Sequence, residues 1–297
     1  MLKKTTKYLL NYFDLDIIRI PSQGKKIITS KIGNFNLKHH ADHALPRILK
    51  NWPEYSSNLP RIAVAIKQKY HDLILIDIGA NIGDTVALTR TVDEFPIVCI
   101  EGDEEYFKLL SENLKQFSNT YAFQNFLGDS DQNIMGTIIS NDGTLKIVSK
   151  NEHIDPIKII TLDSFLYSHP EFIKSKLLKI DTDGFDVKIL KGAKNYISNT
   201  KPIIFFEYDS RLLNEQGDSA LQSLYELETI GYDNIIYYDN YGQFILMTQL
   251  SNHNIINQLD QYIGNEKSGV LYYDVCLFHN EDEDIAKEFF IKETHRN

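Results

Sequence analysis

The sequence predicts an α/β protein: one mostly parallel sheet, helices on both faces, and a small N-terminal extension. Two observations predict it. Short, mostly apolar runs recur at residues 73–78, 97–100, 177–180 and 202–206, and runs of that length suit strands buried on both faces of a parallel sheet. Helically spaced apolar residues follow most of them, which is the alternation expected of repeated strand–helix units.

The predicted division is an N-terminal extension at 1–58, serving as a lid over substrate or cofactor, and an α/β domain at 59–297. Residues 1–20 predict a short amphipathic helix and a strand-like run at 17–20, punctuated by Pro21 and Gly24. Residues 27–38 predict a hairpin around Gly33 and Asn34. His39, His40 and His43 form the densest histidine cluster. No partner cluster stands at metal-ligand spacing, so they read as a lid contact rather than a metal site. A loop at 52–58 leads to a helix at 59–70 with Ile62, Val64, Ala65 and Ile66 on one side.

The central stretch runs from Asp77 to Asp84, Asp-Ile-Gly-Ala-Asn-Ile-Gly-Asp. A strand ends, two glycines turn the chain, and a helix begins with Val86, Ala87 and Leu88. This is the opening of a nucleotide-binding α/β unit. A pyrophosphate carrier asks for G-x-G-x-x-G, whose backbone amides cradle phosphate. Here Asn81 and Asp84 stand at the second and third glycine positions. Asp77 and Asp84 bracket the turn and would repel a diphosphate. They suit S-adenosylmethionine, which carries an ammonium and a sulfonium and no phosphate. Asp77, Gly79, Ala80, Asn81, Gly83 and Asp84 are therefore the expected cofactor contacts of this loop.

The second strand ends at Glu101-Gly102. Glu101 lies about 20 residues past the loop, where an acid accepts hydrogen bonds from a ribose diol, and Gly102 joins it as an expected cofactor contact. A helix at 104–117 carries Tyr106, Leu109, Leu110 and Leu114 on its core face. A third strand, 120–126, ends at Leu127-Gly128-Asp129. Asp129 reads either as an acceptor for the exocyclic amine of adenine or as a turn residue. Residues 136–160 predict an antiparallel insertion turning at Asn141-Asp142-Gly143, and a short helix opens at Thr161.

The second chemical centre is Lys179-Ile-Asp181-Thr-Asp183-Gly-Phe-Asp186. Ligands of open α/β sheets sit off the carboxyl ends of strands, so Asp181 is expected to face the site. Asp183 divides between site and helix cap, and Asp183 with Asp186 approximates a capping box for a helix at 187–197. The next strand delivers Glu207 to the same edge. Asp181 and Glu207 together would position and deprotonate a hydroxyl, or hold a divalent cation. The histidines at 39–43, or His153, are alternative bases. A helix at 219–230, strands at 234–238 and 243–248, a last, antiparallel strand at 272–279 and an acidic helix at 281–290 complete the chain.

The totals narrow the partners. The chain has 297 residues, 42% hydrophobic and 24% charged, with a net charge of −10. That composition is ordinary for a globular protein, and the negative balance argues against nucleic acid or anionic membrane as a partner. No apolar run is long enough to span a bilayer. Cys99 and Cys276 sit in separate predicted strands without metal spacing, the pattern of buried thiols in a reducing compartment. With no secretory signal evident, the expected location is the cytoplasm.

Taken together, these motifs resemble the FkbM family of S-adenosylmethionine-dependent methyltransferases. The resemblance is carried by Asp77 through Gly83, Ile100-Glu101, Leu127-Gly128-Asp129, Thr161-Leu162-Asp163, Lys179 through Asp186, Leu190 through Ala193, and Pro202 through Glu207. The chain departs from the family at Gly102, where proline is usual, and at Asp183 and Asp186, where glutamate is usual. The resemblance implies a Rossmann-like class I methyltransferase sheet. It also implies an O-methyltransferase acting on a hydroxyl of a sugar, such as a surface glycan or its precursor, or of a polyketide-like small molecule. Asp181, Asp183 and Glu207 are the expected catalytic residues. An NAD-dependent nucleotide-sugar oxidoreductase or epimerase is the alternative that Asn81 and Asp84 speak against. A non-catalytic binding module is disfavoured by the intact loop and Glu101.

Overall fold

The computed structural model describes residues 26–134, 137–141, 144–148, 156–215, 217–265 and 269–296. The segment predicted at 1–20, Pro21, Gly24, the Asp142-Gly143 turn and His153 lie outside the described residues. The chain opens with an antiparallel hairpin, β1 (Ile27–Ile32) and β2 (Phe35–His40). Two helices follow, α1 (Leu45–Asn51) and α2 (Asn58–Lys69). The first of these is not predicted by the sequence reading. It begins without a side-chain cap, so that start signal is missing, and Pro46 in its first turn is the one that remains.

Then come β3 (Leu75–Ile78), α3 (Asp84–Thr89), β4 (Ile97–Glu101), α4 (Glu104–Asn113) and β5 (Thr120–Gln124). Asp103 caps α4 by accepting from the Glu105 and Tyr106 amides, which satisfies donors a helix start leaves open. The insertion holds β6 (Phe126–Leu127), β7 (Gln132–Ile134), β8 (Thr137–Asn141), β9 (Thr144–Val148) and β10 (Ile157–Ile160). β8 and β9 pair antiparallel, as the hairpin reading expects. β10 pairs antiparallel with β7 and parallel with β6.

The second half runs α5 (Leu162–Ser168), β11 (Leu177–Ile180), α6 (Asp186–Lys191), α7 (Lys194–Thr200) and β12 (Ile203–Tyr208). It continues through α8 (Ser210–Glu215), α9 (Ala220–Thr229), β13 (Tyr232–Asp239), β14 (Phe244–Gln249), α10 (His253–Ile263), β15 (Tyr273–His279) and α11 (Glu283–Thr294). Two helices replace the single one predicted at 187–197. The break is made by Asp163, whose carboxylate accepts from the Asn195 and Tyr196 amides and so starts a new helix there. The Gly192 carbonyl is taken by the Asp163 amide.

The main sheet has eight strands in the order β14-β13-β15-β12-β11-β3-β4-β5. β5, β4, β3, β11, β12 and β13 share one direction. Numbered along the chain they lie 3-2-1-4-5-6, the doubly wound order. β15 slips antiparallel between β12 and β13, and β14 closes the edge antiparallel to β13. The expected final antiparallel strand is thus present, with a second one beside it.

Helices cover both faces. On one, Leu59, Ile62 and Ile66 of α2 and Phe289 of α11 bury Leu75, Leu177 and Phe205. On the other, Phe165, Val187, Leu224 and Ile256 bury Ile76, Leu178 and Ile204. The N-terminal hairpin packs separately, with Ile32 and Leu37 against Ala87, Tyr106 and Leu109 of α3 and α4. The order 2-1-4 puts neighbouring strands β3 and β11 at a switch point, the place where such sheets leave a crevice at their carboxyl ends.

Candidate active site

β3 and β11 end side by side, and the loops that leave them build the crevice. Gly79 follows β3 at φ +77°, and a Cβ there would run into the Asp181 carbonyl oxygen after β11. Only glycine allows the two main chains to meet so closely. Asn81 takes a left-handed backbone, φ +47°, and so does Asp183, φ +51°. A non-glycine residue in that region is uncommon and worth attention at a site.

Two adjoining cavities open on this junction. The first is lined by Glu101, Gly102, Asn125, Phe126, Ile159 and Phe185, among others. The second lies toward α1 and α2 and is lined by His43, Tyr55, Asp84, Glu207, Tyr272 and Asp274, among others. Gly79, Asn81, Asp181 and Asp183 line both.

In the first cavity Glu101 is the polar centre. One carboxylate oxygen accepts from the Asn81 amide at 2.9 Å and the other from the Asp103 amide at 2.8 Å. Burial raises its pKa to about 7, against the opposing pull of those amides. Both oxygens keep lone pairs for a ribose diol. Gly102 leaves the edge of the Phe126 ring where a Cβ would stand, so the wall next to Glu101 is flat and aromatic. Apolar walls of Phe126, Leu127 and Ile159 with Asn125 at the rim fit a planar base. Glu101, the bare Gly79 and this apolar slot are the features that suit S-adenosylmethionine here.

Beneath the junction lies an ion triad, two of its members buried, that the sequence reading missed. Lys179 reaches Asp77 at 2.9 Å and Asp181 at 3.3 Å. Burial works against its charge, but Asp77, Asp181 and Asp84 outweigh that and hold the lysine's pKa well above its ordinary value. Asp77 is fully buried, and burial raises its carboxyl pKa although Lys179 opposes the shift. Asp77 therefore does not line either cavity, and its charge is matched by Lys179 rather than offered to a ligand. The signal was Lys179 itself, an amine in the middle of an apolar strand, which needs a partner.

Other expected contacts also fall elsewhere. Ala80 is buried in the core beside Val86 and Leu110. Gly83 ends the loop as the residue before α3, packed 3.1 Å from Leu110 were it to carry a Cβ. Asp129 is exposed, accepts from the Ser130 hydroxyl and does not line the cavity. Asn125, at the end of β5, lines it instead. The capping box is not formed: Phe185 precedes α6 without a side-chain cap. Asp186 instead accepts from the Thr182 hydroxyl at 3.1 Å and the Gly184 amide at 3.3 Å, bracing the loop that carries Asp183.

The second cavity is acidic. Burial raises Asp84 to a pKa of about 6, eased by Lys179. Burial followed by Asp181 raises Asp274 to about 7. The Glu207 carboxyl is pushed well above its usual range by burial and by Asp181, Asp186, Asp183 and Asp274. From the N-terminal segment, His43 brings Nε2 to within 3.1 Å of Asn81 Oδ1, while its Nδ1 accepts from the Leu45 amide. The ring therefore donates through Nε2 to the glycine loop. Burial also lowers its pKa. His39 turns to Ser30 and the His40 carbonyl. Among the described residues, no group of three or more His, Cys, Asp or Glu is placed to hold a metal ion.

The sequence profile of the FkbM methyltransferase domain matches residues 77–240. The chain belongs to the FkbM methyltransferase family. The matched span begins at Asp77 and takes in both strand ends and every residue of the Lys179 triad. Among solved structures, methyltransferase FkbM from Methylobacillus flagellatus KT is 20% identical over 46% of this chain and 32% of its own, with a TM-score of 0.34. The chain thus spans about a third of that protein's length. Precorrin-6y C5,15-methyltransferase from Geobacter metallireducens GS-15 is 13% identical over 70% of this chain and 81% of its own, TM-score 0.37. The tRNA (uracil-54, C5)-methyltransferase of Pyrococcus abyssi, in complex with S-adenosyl-L-homocysteine, is 8% identical over 86% and 44%, TM-score 0.37. No curated protein matches the chain.

Proposed function

We propose that this FkbM family member transfers a methyl group from S-adenosylmethionine to a hydroxyl of a sugar, such as a surface glycan or its precursor, or of a small polyhydroxylated molecule. The observation that carries the reading is the meeting of two cavities at Asp181, one centred on Glu101 and the other lined by carboxyl groups.

The bound cofactor supplies an activated methyl group, with the electron pair of the broken carbon–sulfur bond staying on sulfur. The protein's part is to bind and orient. Glu101 accepts from the ribose hydroxyls, Phe126 and Ile159 hold the base, and Asn81 is fixed by Glu101 on one side and His43 on the other. Holding two reactants in line is worth up to roughly 7–11 kcal/mol of barrier in favourable cases. A carboxyl group at the junction takes the hydroxyl proton. The segment from β1 to α2, with His43 and Tyr55 in the second cavity, acts as the lid over the acceptor.

The test is calorimetric titration of the purified protein with S-adenosylmethionine and, separately, with NADH. Binding of the first and not the second supports the reading, and labelled methyl transfer into a glycan extract completes it. Tighter binding of NADH, or no binding of S-adenosylmethionine at millimolar concentration, overturns it.

A further inference from the structure

The second cavity contains a row of three carboxyl groups set by sheet register. Glu207 of β12 is paired directly with Asp274 of β15. On the other side Ile180 pairs with Phe206, so Asp181 lies one residue further along, beside Glu207. Direct cross-strand partners share a face, with Cβ atoms about 4.5–5.5 Å apart. Three carboxylates at that spacing, under the start of α2, cannot all be charged without relief.

The two outer members have relief. Lys179 stands 3.3 Å from Asp181, and the buried Asn58 donates through Nδ2 to Asp274 Oδ2 at 3.3 Å. Glu207, in the middle, has neither a cation nor a hydrogen-bond donor set against it among the described residues. Arg211 lines the same cavity but is paired with Asp209 at 3.1 Å.

We propose that Glu207 works as a neutral carboxylic acid donating a hydrogen bond to the acceptor molecule, that Asp181 is the carboxylate receiving the acceptor hydroxyl's proton, and that Asp274 is the positioning residue that keeps the proton on Glu207. This rests on the methyl-transfer reading above. The acceptor's O–H bond breaks as its oxygen gains the methyl group, and the proton goes to an Asp181 oxygen. The Asp181 side chain is 48% exposed, so it passes that proton to solvent. Glu207 keeps its own proton throughout. A pair of acids whose surroundings push their protonation apart divides donor from base in this way.

The groups facing Glu207 act in one direction. Burial first, and then Asp181 in the loop after β11, Asp186 of α6, Asp183 in the same loop and Asp274 of β15, all raise its pKa. Tyr55 and Tyr272 line the same cavity and are bonded to each other, and burial above all raises the pKa of both phenols. Lys179 is drawn to Asp77 and Asp181.

The experiment is a carboxyl-carbon NMR titration of the full-length protein labelled with 13C at Glu Cδ and Asp Cγ, with the Glu207 signal assigned by its loss in Glu207→Gln. The expected Glu207 midpoint lies well above the usual carboxylate range. Asp274→Asn lowers it by at least one pH unit. Asn58→Ala, which leaves both acids in place, also lowers it, because Asp274 then competes for the proton. A Glu207 midpoint within the usual carboxylate range, or one that neither variant moves, overturns the proposal. Calorimetry with S-adenosylmethionine on the same wild-type sample separates the two readings: titration as expected without cofactor binding overturns the methyl-transfer reading and leaves the protonation of the row intact.

Discussion

Lys179 and Asp77 show what a single residue does for this site. Asp77, Lys179 and Phe205 are in register across β3, β11 and β12, so lysine and aspartate meet on one face of the sheet, both buried. Removing one member of such a pair leaves a bare buried charge, at a cost of about 3–5 kcal/mol. Lys179→Met is expected to destabilise the protein by about that much in urea unfolding. Adding Asp77→Leu to it should recover most of the loss, since the two sites are coupled. Glu101 works on the ligand side. Hydrogen bonds to a charged group contribute roughly 1.5–3 kcal/mol each, so Glu101→Gln is expected to weaken S-adenosylmethionine binding by about ten- to a hundredfold in calorimetry. With a pKa of about 7 in the free protein, its carboxylate is lost as pH falls. Wild-type affinity should therefore drop between pH 8 and pH 6, and the variant's should not. Glu101 was legible from its place after the second strand. Lys179 was legible only as a motif letter, because its role depends on which strand lies beside β11, and strand order is not written locally.

At the level of elements, the Gly102–Phe126 contact explains a departure from the family pattern. The chain turns out of β4 with Gly102 against the edge of the Phe126 ring at the start of β6. Proline or alanine there has to displace the ring. Gly102→Ala is expected to cost about 1–3 kcal/mol, the usual range for an overpacked site, and to weaken cofactor binding in parallel. Combining it with Phe126→Leu should restore stability but not affinity, read by thermal unfolding and calorimetry. The broken helix after Asp186 carries a related lesson. Apolar spacing of Val187, Leu190 and Ile197 continues through the break, so periodicity alone shows one helix, and the interruption comes from Asp163, far away in sequence. α10 is the opposite case. Asn252 caps it through the Ile255 amide, and Ile256, Leu259 and Ile263 sit at helical spacing. Its signal was present in the sequence and was passed over.

At the scale of the whole molecule, the six parallel strands and the final antiparallel one followed from the apolar runs. The sheet order that sets β15 between β12 and β13 with β14 at the edge, and the second cavity, did not, because they depend on where loops return to the sheet. The concentration of acids has a global effect on stability. Glu101, Asp186 and Asp274 are raised to about 7 and Asp84 to about 6, each by burial first. Between their unfolded pKa values and these, the folded protein holds protons that the unfolded chain has lost, so stability falls as pH rises through that window. His39, His43 and His279 are lowered, by burial above all, and act in the opposite sense below about pH 6.5. The ligand-free protein is therefore expected to have a lower urea midpoint at about pH 8 than at about pH 6.5. The contact between Gly79 and the Asp181 carbonyl has a further consequence. At that point the partition between the two cavities is main chain, so residue 79 can carry no side chain without forcing the strand ends apart. New acceptor preferences, whether arising in nature or sought in mutant libraries, are expected on the walls around Tyr55, Leu212 and Leu271, while this crossing of the two strand ends stays as it is.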